Sequence, residues 1–442
     1  MTMKKHKKHI KMKLHIIIIT SISLVILSCT QNQVFAQNDI NYEESKVPNF
    51  ILPELFICNN GEKVVTVEQW EQQRRPEILE LFLSQVYGRT PKSKIAVTYE
   101  MLSENQDDLG GKAISKQVKF TFTNGTKSIV AFLLIYLPKQ AKGKVPVIIS
   151  YNYKGNHSTI SDTTILYSPS LSLVKEPGNP DWIRGCQSYR WPFNKIIERG
   201  YGVATMCYHD IFPDEIGLKD HSVVSLFPNY NPDSNKIDEW QAIGAWAWGL
   251  SRIMDYIETQ AWVDLDKIVL MGHSRQGKAA LWAGAQDARF RIVISNNSGS
   301  GGAALSKRVF GENIAYLTAI TPKWFCPAFD QYANNEVSLT FDQHELIALM
   351  APRPVYIASA KEDLWADPKG EFLSAYYSGS VYELYGLSGL GTSIMPAIHQ
   401  PIMNDVGYHI RAGKHDVTDY DWKCFMDFAD QHFYRKLNDA NK

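Results

Sequence analysis

The segment Asp266-Lys-Ile-Val-Leu-Met-Gly-His-Ser-Arg-Gln-Gly-Lys-Ala-Ala-Leu-Trp-Ala-Gly-Ala285 changes its hydrophobic pattern in the middle, at Ser274. Residues 268–271 form a short apolar run with β-branched members, which is typical of a strand buried on both faces. Residues 277–285 are small and alanine-rich and predict a buried helix. A strand followed directly by a helix needs a sharp turn, which glycines permit. We therefore expect Ser274 to lie on a tight strand-to-helix turn.

The sequence of this turn is similar to the nucleophile elbow motif Gly-x-Ser-x-Gly, in which a serine hydroxyl projects clear of the sheet. The sequence here is Gly272-His-Ser-Arg-Gln-Gly277, so the second glycine comes one position late. The strand, turn and small-residue helix favour a nucleophilic Ser274. The alternative is a serine that only caps the helix.

Residues 1–36 have the pattern of an export signal. Six lysines precede an apolar core over 16–27, which is too short to span a bilayer. Cleavage after Ala36 and a lipoprotein signal ending before a lipidated Cys29 both remain open. We accordingly expect an exported protein that is periplasmic, anchored in the outer membrane as a lipoprotein, or secreted.

The charge balance argues against nucleic acid as a partner. The 442 residues include 46 basic and 46 acidic side chains, and the segment 1–36 contains six lysines but no acidic residue. The mature chain is therefore mildly acidic. Its length and hydrophobic content suit one large domain or one domain with an appendage, and we expect a single, monomeric domain over 37–442.

The hydrophobic pattern changes at residue 145. Residues 40–140 predict a helix over 67–86 and then an antiparallel meander, whereas later buried strands alternate with helices. This alternation predicts an α/β protein with a three-layer sandwich, in which helices cover a mostly parallel sheet. The predicted strands are 95–102, 113–123, 128–137, 145–151, 202–208, 268–271, 292–295 and 354–359, and the later helices are 192–199, 239–260, 278–285 and 421–437.

A nucleophilic serine needs a histidine base that is oriented by a carboxylate. In an α/β-hydrolase they follow in the order serine, acid, histidine. The strand predicted over 354–359 ends in a loop with Glu362, Asp363 and Asp367. Any of the three could be the acid, and we choose Asp363.

The histidines after that loop are candidates for the base. His409 lies in a strand-like stretch and His432 lies within the last helix, whereas His415 lies in a loop that ends just before this helix. We therefore predict His415 as the base. His409 is its strongest rival, and His399 is the other candidate.

Two other groups of residues suggest different chemistry. His157, His209 and Asp210 lie at strand ends, but no pair has the spacing of metal ligands on a helix or hairpin, so we predict no metal. The loop over 297–302 is glycine-rich but lacks the Lys-Ser/Thr ending of a phosphate-binding loop. It is interpreted as a loop in close contact with the elbow.

Four segments together resemble the bacterial branch of the glucuronoyl esterases. They are the elbow, Ser-Gly-Ser-Gly-Gly at 298–302, Asp-Leu-Trp-Ala-Asp-Pro-Lys-Gly-Glu-Phe at 363–372, and Gly-Tyr-His-Ile-Arg-Ala-Gly-Lys-His-Asp at 407–416. The resemblance covers nearly the whole mature chain. It implies an α/β-hydrolase that needs no cofactor and cleaves esters between (4-O-methyl-)glucuronic acid of glucuronoxylan and lignin alcohols.

The resemblance also implies roles for single residues. Ser274 would be the nucleophile, His415 the base, and Arg275 a side-chain stabiliser of the oxyanion. A guanidinium fixed beside the nucleophile offers several donors to developing negative charge. The residues implied for the sugar are Lys278 and Glu312, which would hold its hydroxyls, and Trp365, which would line its site.

One position departs from the family pattern. Fungal members and some bacterial ones have their acid immediately before Ser-Gly-x-Gly-Gly, where this chain has Asn297. Asparagine can hold a histidine but supplies no negative charge. The acid is therefore expected to be Asp363. Whether Glu362 or Asp367 shares this role stays open.

Two further functions stay open from the sequence. One is a different carbohydrate esterase, such as a deacetylase of xylan, on the same machinery; Arg275 and Lys278 beside the serine favour an anionic acyl group instead. The other is a glycan-binding surface lipoprotein without activity, against which the intact serine, acid and histidine argue.

Overall fold

The computed structural model describes residues 40–174, 182–228, 230–231 and 236–434. The predicted export signal over 1–36, including Cys29, lies outside these residues. Within the described ranges, no helix is both long and apolar enough to cross a membrane.

The strands of the sheet are β1 (Ala96–Asp107), β2 (Ala113–Thr123), β3 (Ser128–Pro138), β4 (Val145–Asn152), β5 (Gly202–Cys207), β6 (Val263–His273), β7 (Ile292–Asn296), β8 (Val355–Ala360), β9 (Ile402–Met403) and β10 (Val406–Arg411). Their spatial order is β1-β2-β3-β5-β4-β6-β7-β8-β10-β9. Pairing is parallel from β5 through β10, whereas β1, β2 and β3 form an antiparallel meander that joins the sheet at β5. The predicted mostly parallel sheet with an antiparallel lead-in is confirmed.

The longer α-helices are α1 (Arg75–Phe82), α2 (Phe193–Glu198), α3 (Ala242–Glu258), α4 (Arg275–Gln286), α5 (Ile314–Ile320), α6 (Gln343–Ala348), α7 (Pro368–Leu384) and α8 (Asp419–Phe433). They cover both faces of the sheet. Since successive strand residues point in opposite directions, each buried strand packs against both helical layers. In β6, Ile268 and Leu270 pack in the core that contains α3 and α4. Val269 and Met271 pack in a second core with residues of α2 and α8. This is the predicted three-layer arrangement.

Two parts of the helix prediction differ from the structure. The helix expected over 67–86 is a continuous helical run, but Trp70–Arg74 and Leu83–Tyr87 within it are wound as π-helix. The predicted helices also do not include α5, α6 and α7. The buried positions of α7, the longest of the three, mix glycine, serine and glutamate with apolar residues. A helix buried on several sides shows no clear apolar stripe, and the prediction depended on such stripes.

Candidate active site

The turn between β6 and α4 carries Ser274 in a strained conformation. Its φ angle is +56°, in the region that L-residues rarely adopt. The N–H of Ser274 donates to the carbonyl of Asn296 at 2.8 Å, which ties the turn to β7. A Cβ atom at Gly272 would lie 2.0 Å from the carbonyl oxygen of Gln276, so only glycine fits there. The predicted sharp turn therefore exists, with Ser274 at its tip.

The late second glycine has a packing role. A Cβ atom at Gly277 would lie 2.8 Å from Cβ of Ser298 and 2.9 Å from Oγ of Ser295. The glycine allows α4 to approach β7 and the loop that follows it. The predicted close contact between this glycine-rich loop and the elbow is thus present, and it explains why position 277 is a glycine.

The predicted acid and base are hydrogen-bonded to each other. Nδ1 of His415 lies 2.6 Å from Oδ2 of Asp363. The Asp363 side chain is 4% exposed, whereas that of His415 is 37% exposed. A carboxylate on Nδ1 favours the tautomer whose other nitrogen, Nε2, can accept a proton. The pair therefore has the arrangement that a general base requires.

The other two acidic candidates lie in different surroundings. Asp367 caps α7 by accepting the N–H of Gly370 at 2.9 Å, and it also accepts from Nε of Arg308 at 2.8 Å. Glu362 is exposed, and its backbone N–H bonds to the carbonyl of Gly413. Among the described contacts of His415, Asp363 supplies the carboxylate.

The rival histidine also has a carboxylate partner, but it lies in the core. His409 in β10 is 0% exposed, with Nε2 2.9 Å from Asp421 and Nδ1 3.0 Å from the hydroxyl of Tyr356. Burial lowers the pKa of His409, which favours the neutral ring. An enclosed histidine of this kind stabilises the contact between β10 and α8 and does not meet a ligand.

Ser274, Arg275 and His415 line one cavity of about 470 Å³. Both apolar and charged groups form its walls, as is usual for sites that bind small polar ligands. The same cavity is also lined by Asp214, Glu312, Tyr316, Lys323, Trp324 and Trp365.

Arg275, the residue after the serine, is held from two sides. Its Nη1 donates to the carboxylate of Asp214. Its guanidinium carbon lies 4.6 Å from the ring centroid of Trp324 and 5.9 Å from that of Tyr153. Fixed in this way, Arg275 is a preorganised cation in the wall of the cavity that contains Ser274.

Lys278 is buried and fully hydrogen-bonded. Its Nζ donates to Oε2 of Glu312 at 2.6 Å and to the carbonyls of Ser298 and Ser300 at 2.7 and 2.5 Å. Burial lowers the pKa of this lysine. Because its three protons are all used within the protein, Lys278 holds Glu312 and the glycine-rich loop in place.

Glu312 and Trp365 do line the cavity. The N–H of Glu312 donates to the carbonyl of Trp365 at 2.7 Å, so the two backbones are joined. The ring of Tyr316 stands edge-on to Trp365, with centroids 4.6 Å apart. A carboxylate and two aromatic rings in the wall of one cavity can accept hydrogen bonds from sugar hydroxyls and cover an apolar sugar face.

Glu371 in α7 is a buried carboxyl that the sequence analysis did not identify. It accepts the backbone N–H groups of Ser298 and Gly299 at 2.7 and 3.1 Å, and the hydroxyl of Ser359 at 2.6 Å. Burial raises its pKa to about 8. Glu371 therefore anchors the glycine-rich loop, and its place in the segment 363–372 was the available indication.

Asn297 occupies the position at which the sequence departs from the family that it resembles. Asn297 has φ +48° and is buried, and within the described residues neither of its amide atoms has a hydrogen-bond partner. The ring centroid of His273 lies 4.5 Å from that of His415. Burial lowers the pKa of His273 well below its usual value, so it adds no positive charge beside the base.

The residues considered for metal binding have other partners. Asp210 accepts hydrogen bonds from the hydroxyls of Ser168 and Ser170. Nδ1 of His209 accepts the N–H of Asp214 at 2.9 Å. His209 thereby supports Asp214, which follows β5 and faces the cavity but was not singled out from the sequence.

The strand order and the site together define an α/β-hydrolase: the serine follows β6, the acid follows β8 and the histidine follows β10. The family model described as "Glucuronyl esterase, fungi" matches residues 230–386. A carbohydrate esterase from an unknown prokaryotic organism is 42% identical over 90% of this chain and 94% of its own. A 4-O-methyl-glucuronoyl methylesterase of Schizophyllum commune is 30% identical over 83% and 82%.

Among solved structures, a glucuronoyl esterase from Solibacter usitatus superposes with a TM-score of 0.81. It is 42% identical, over 87% of this chain and 98% of that one. The chain therefore belongs to the glucuronoyl esterase family of carboxylic ester hydrolases.

Proposed function

We propose that this protein is an exported serine esterase that hydrolyses esters of (4-O-methyl-)glucuronic acid in glucuronoxylan. The observation that carries the proposal is that Ser274 and His415, whose ring is bonded to Asp363, line the same cavity as Glu312 and Trp365. A nucleophile with its base and a polar, aromatic sugar site thus share one space of a size suited to a single sugar residue.

The proposed reaction proceeds through an acyl-enzyme. Oγ of Ser274 attacks the ester carbonyl while Nε2 of His415 takes its proton, and Asp363 stabilises the resulting imidazolium. Arg275 donates hydrogen bonds to the oxyanion. The C–O bond to the alcohol then breaks, and His415 returns the proton to the alcohol. Water attacks the acyl-enzyme by the same route and releases the free uronic acid.

The substrate class is supported by relatives and by the chemistry of the site. The Schizophyllum commune relative is a 4-O-methyl-glucuronoyl methylesterase, and the Solibacter usitatus structure is a glucuronoyl esterase. Glu312 offers a fixed, buried acceptor to sugar hydroxyls, a contact that an acetyl group cannot use. A lignin alcohol as the leaving group fits this substrate class, since the alcohol needs no specific contact to depart.

A panel of esters tests the proposal. We expect purified protein to hydrolyse methyl and benzyl glucuronate, and to hydrolyse methyl galacturonate at least about tenfold more slowly, because a hydroxyl of changed configuration leaves a buried acceptor unpaired. Acetylated xylan should not be a substrate. Preference for acetylated xylan would favour the deacetylase, and failure of Ser274 to react with a fluorophosphonate probe would favour a glycan-binding protein without activity.

A further inference from the structure

Arg275 has one carboxylate partner, and this partner uses only part of the guanidinium. Nη1 donates to Asp214. In the part of the chain that the structure describes, no other nitrogen of this side chain donates to a protein acceptor, and Nε is buried without a partner. Arg275 lines the cavity that contains Ser274. The guanidinium N–H groups that do not bond to Asp214, other than the enclosed Nε, are the donors that a ligand in this cavity can reach.

Asp214 is held more firmly than a surface ion pair would be. Its side chain is 4% exposed, and it accepts hydrogen bonds from Nε1 of Trp324 at 2.8 Å and from the hydroxyl of Tyr208 at 3.1 Å. Nζ of Lys323 lies 3.8 Å from the same carboxylate. Its own N–H bonds to His209. The carboxylate position is therefore fixed before a substrate arrives, and it fixes Arg275 in turn.

The proposed reaction places negative charge near Arg275 twice. The first charge is the transient oxyanion, and the second is the carboxylate of the uronic acid product. An arginine without a counter-ion would attract both, but only stabilisation of the transition state accelerates the reaction, and attraction of the product delays its release. With Asp214 beside it, Arg275 keeps its directed hydrogen bonds, and the net charge of Arg275, Lys323 and Asp214 is +1 where the two cations alone would give +2.

We infer that Asp214 is a positioning residue that holds Arg275 toward Ser274 and balances its charge so that the uronate product is released. This inference deepens the proposed function and rests on it. It predicts that a substitution that removes the charge of Asp214 changes both kcat and the affinity for glucuronate. A substitution that only displaces this charge should change kcat alone.

Asp214→Asn removes the charge and keeps the size of the side chain. We expect kcat on benzyl glucuronate to fall, because Arg275 loses its fixed partner. We also expect free glucuronate to bind about tenfold more tightly in calorimetric titration, which corresponds to about 1.4 kcal/mol. Tighter product binding is a change that a purely structural defect would not produce. An unchanged kcat or an unchanged or weaker affinity for glucuronate would overturn the inference.

Asp214→Glu keeps the charge and displaces it by one methylene group. We expect a lower kcat with wild-type affinity for glucuronate, and a wild-type kcat would refute the positioning role even if Asp214→Asn did not fold. Thermal unfolding of both variants checks their integrity. A wild-type protein that does not hydrolyse benzyl glucuronate would refute the proposed function itself, whereas the glucuronate titrations would still test the charge effect.

Discussion

Nδ1 of His415 lies 2.6 Å from Oδ2 of Asp363, although 52 positions separate the two residues in the chain. The sheet explains their meeting. β8 and β10 are parallel neighbours, with Ala360 opposite Arg411 at their carboxyl ends. The loops that follow them therefore leave the sheet side by side, one with the acid and the other with the histidine. This pairing determines which carboxylate we expect to matter for activity.

Asp363→Asn should reduce kcat on benzyl glucuronate by about 10⁴-fold, because the amide favours the wrong tautomer of His415 and cannot stabilise its charged form. Asn297→Ala is the matched comparison, since Asn297 has no hydrogen-bond partner among the described residues. It should leave kcat close to the wild-type value. A larger loss in Asn297→Ala than in Asp363→Asn would show that the acid is assigned to the wrong loop.

His409 and His415, each hydrogen-bonded to a carboxylate, should respond in opposite ways to substitution. His415→Ala should lower kcat by about 10⁶-fold, the effect of losing a triad base, and leave the free energy of unfolding almost unchanged because the ring is partly exposed. His409→Leu should retain activity but lower the free energy of unfolding by about 1–3 kcal/mol, because buried polar partners lose their hydrogen bonds. Urea denaturation measures the free energy of unfolding of both variants, and steady-state kinetics measure their kcat. A large loss of kcat in folded His409→Leu would contradict the assignment of His415 as the base.

Glu371 should make stability depend on pH. Its pKa is raised by burial to about 8, against an ordinary value of 4.5. Between these values the folded protein binds more protons at this site than the unfolded protein does, so its contribution to stability falls as the pH rises. Glu371→Gln resembles the protonated side chain and keeps an acceptor for the N–H groups of Ser298 and Gly299.

The measurement is the free energy of unfolding of both proteins by urea at several pH values. Wild type and Glu371→Gln should be similar near pH 4.5, and the variant should gain in relative stability up to about pH 8. Taking the difference between the two removes the contribution of Glu345, whose pKa is also raised to about 8. Parallel curves would show that Glu371 holds no proton in this range.

The elbow and the sheet could be predicted from sequence because both depend on local patterns. Ser274 sits where a buried strand gives way to a small-residue helix, and the order of strands then limited the acid and base to two loops. The distinction between His409 and His415 also followed from local pattern, since the first lies in a strand-like stretch.

The supporting residues could not be predicted because their roles depend on distant partners. Asp214 meets Arg275 across 61 positions, and Glu371 meets Ser298 across 73. A single acidic residue in a loop or helix looks solvated until the fold encloses it. The partners of Lys278 also depend on the fold: the family resemblance implied a sugar contact for this lysine, and the structure adds its bonds to Glu312 and to two carbonyls of the glycine-rich loop.

The role of Ser274 as the nucleophile is tested most directly by kinetics of Ser274→Ala on benzyl glucuronate, together with mass spectrometry of wild-type protein labelled by a fluorophosphonate. We expect the variant to fold normally and to lose nearly all activity, and we expect the label on Ser274 of the wild type. Undiminished hydrolysis by Ser274→Ala, or a label on another residue, would contradict the account.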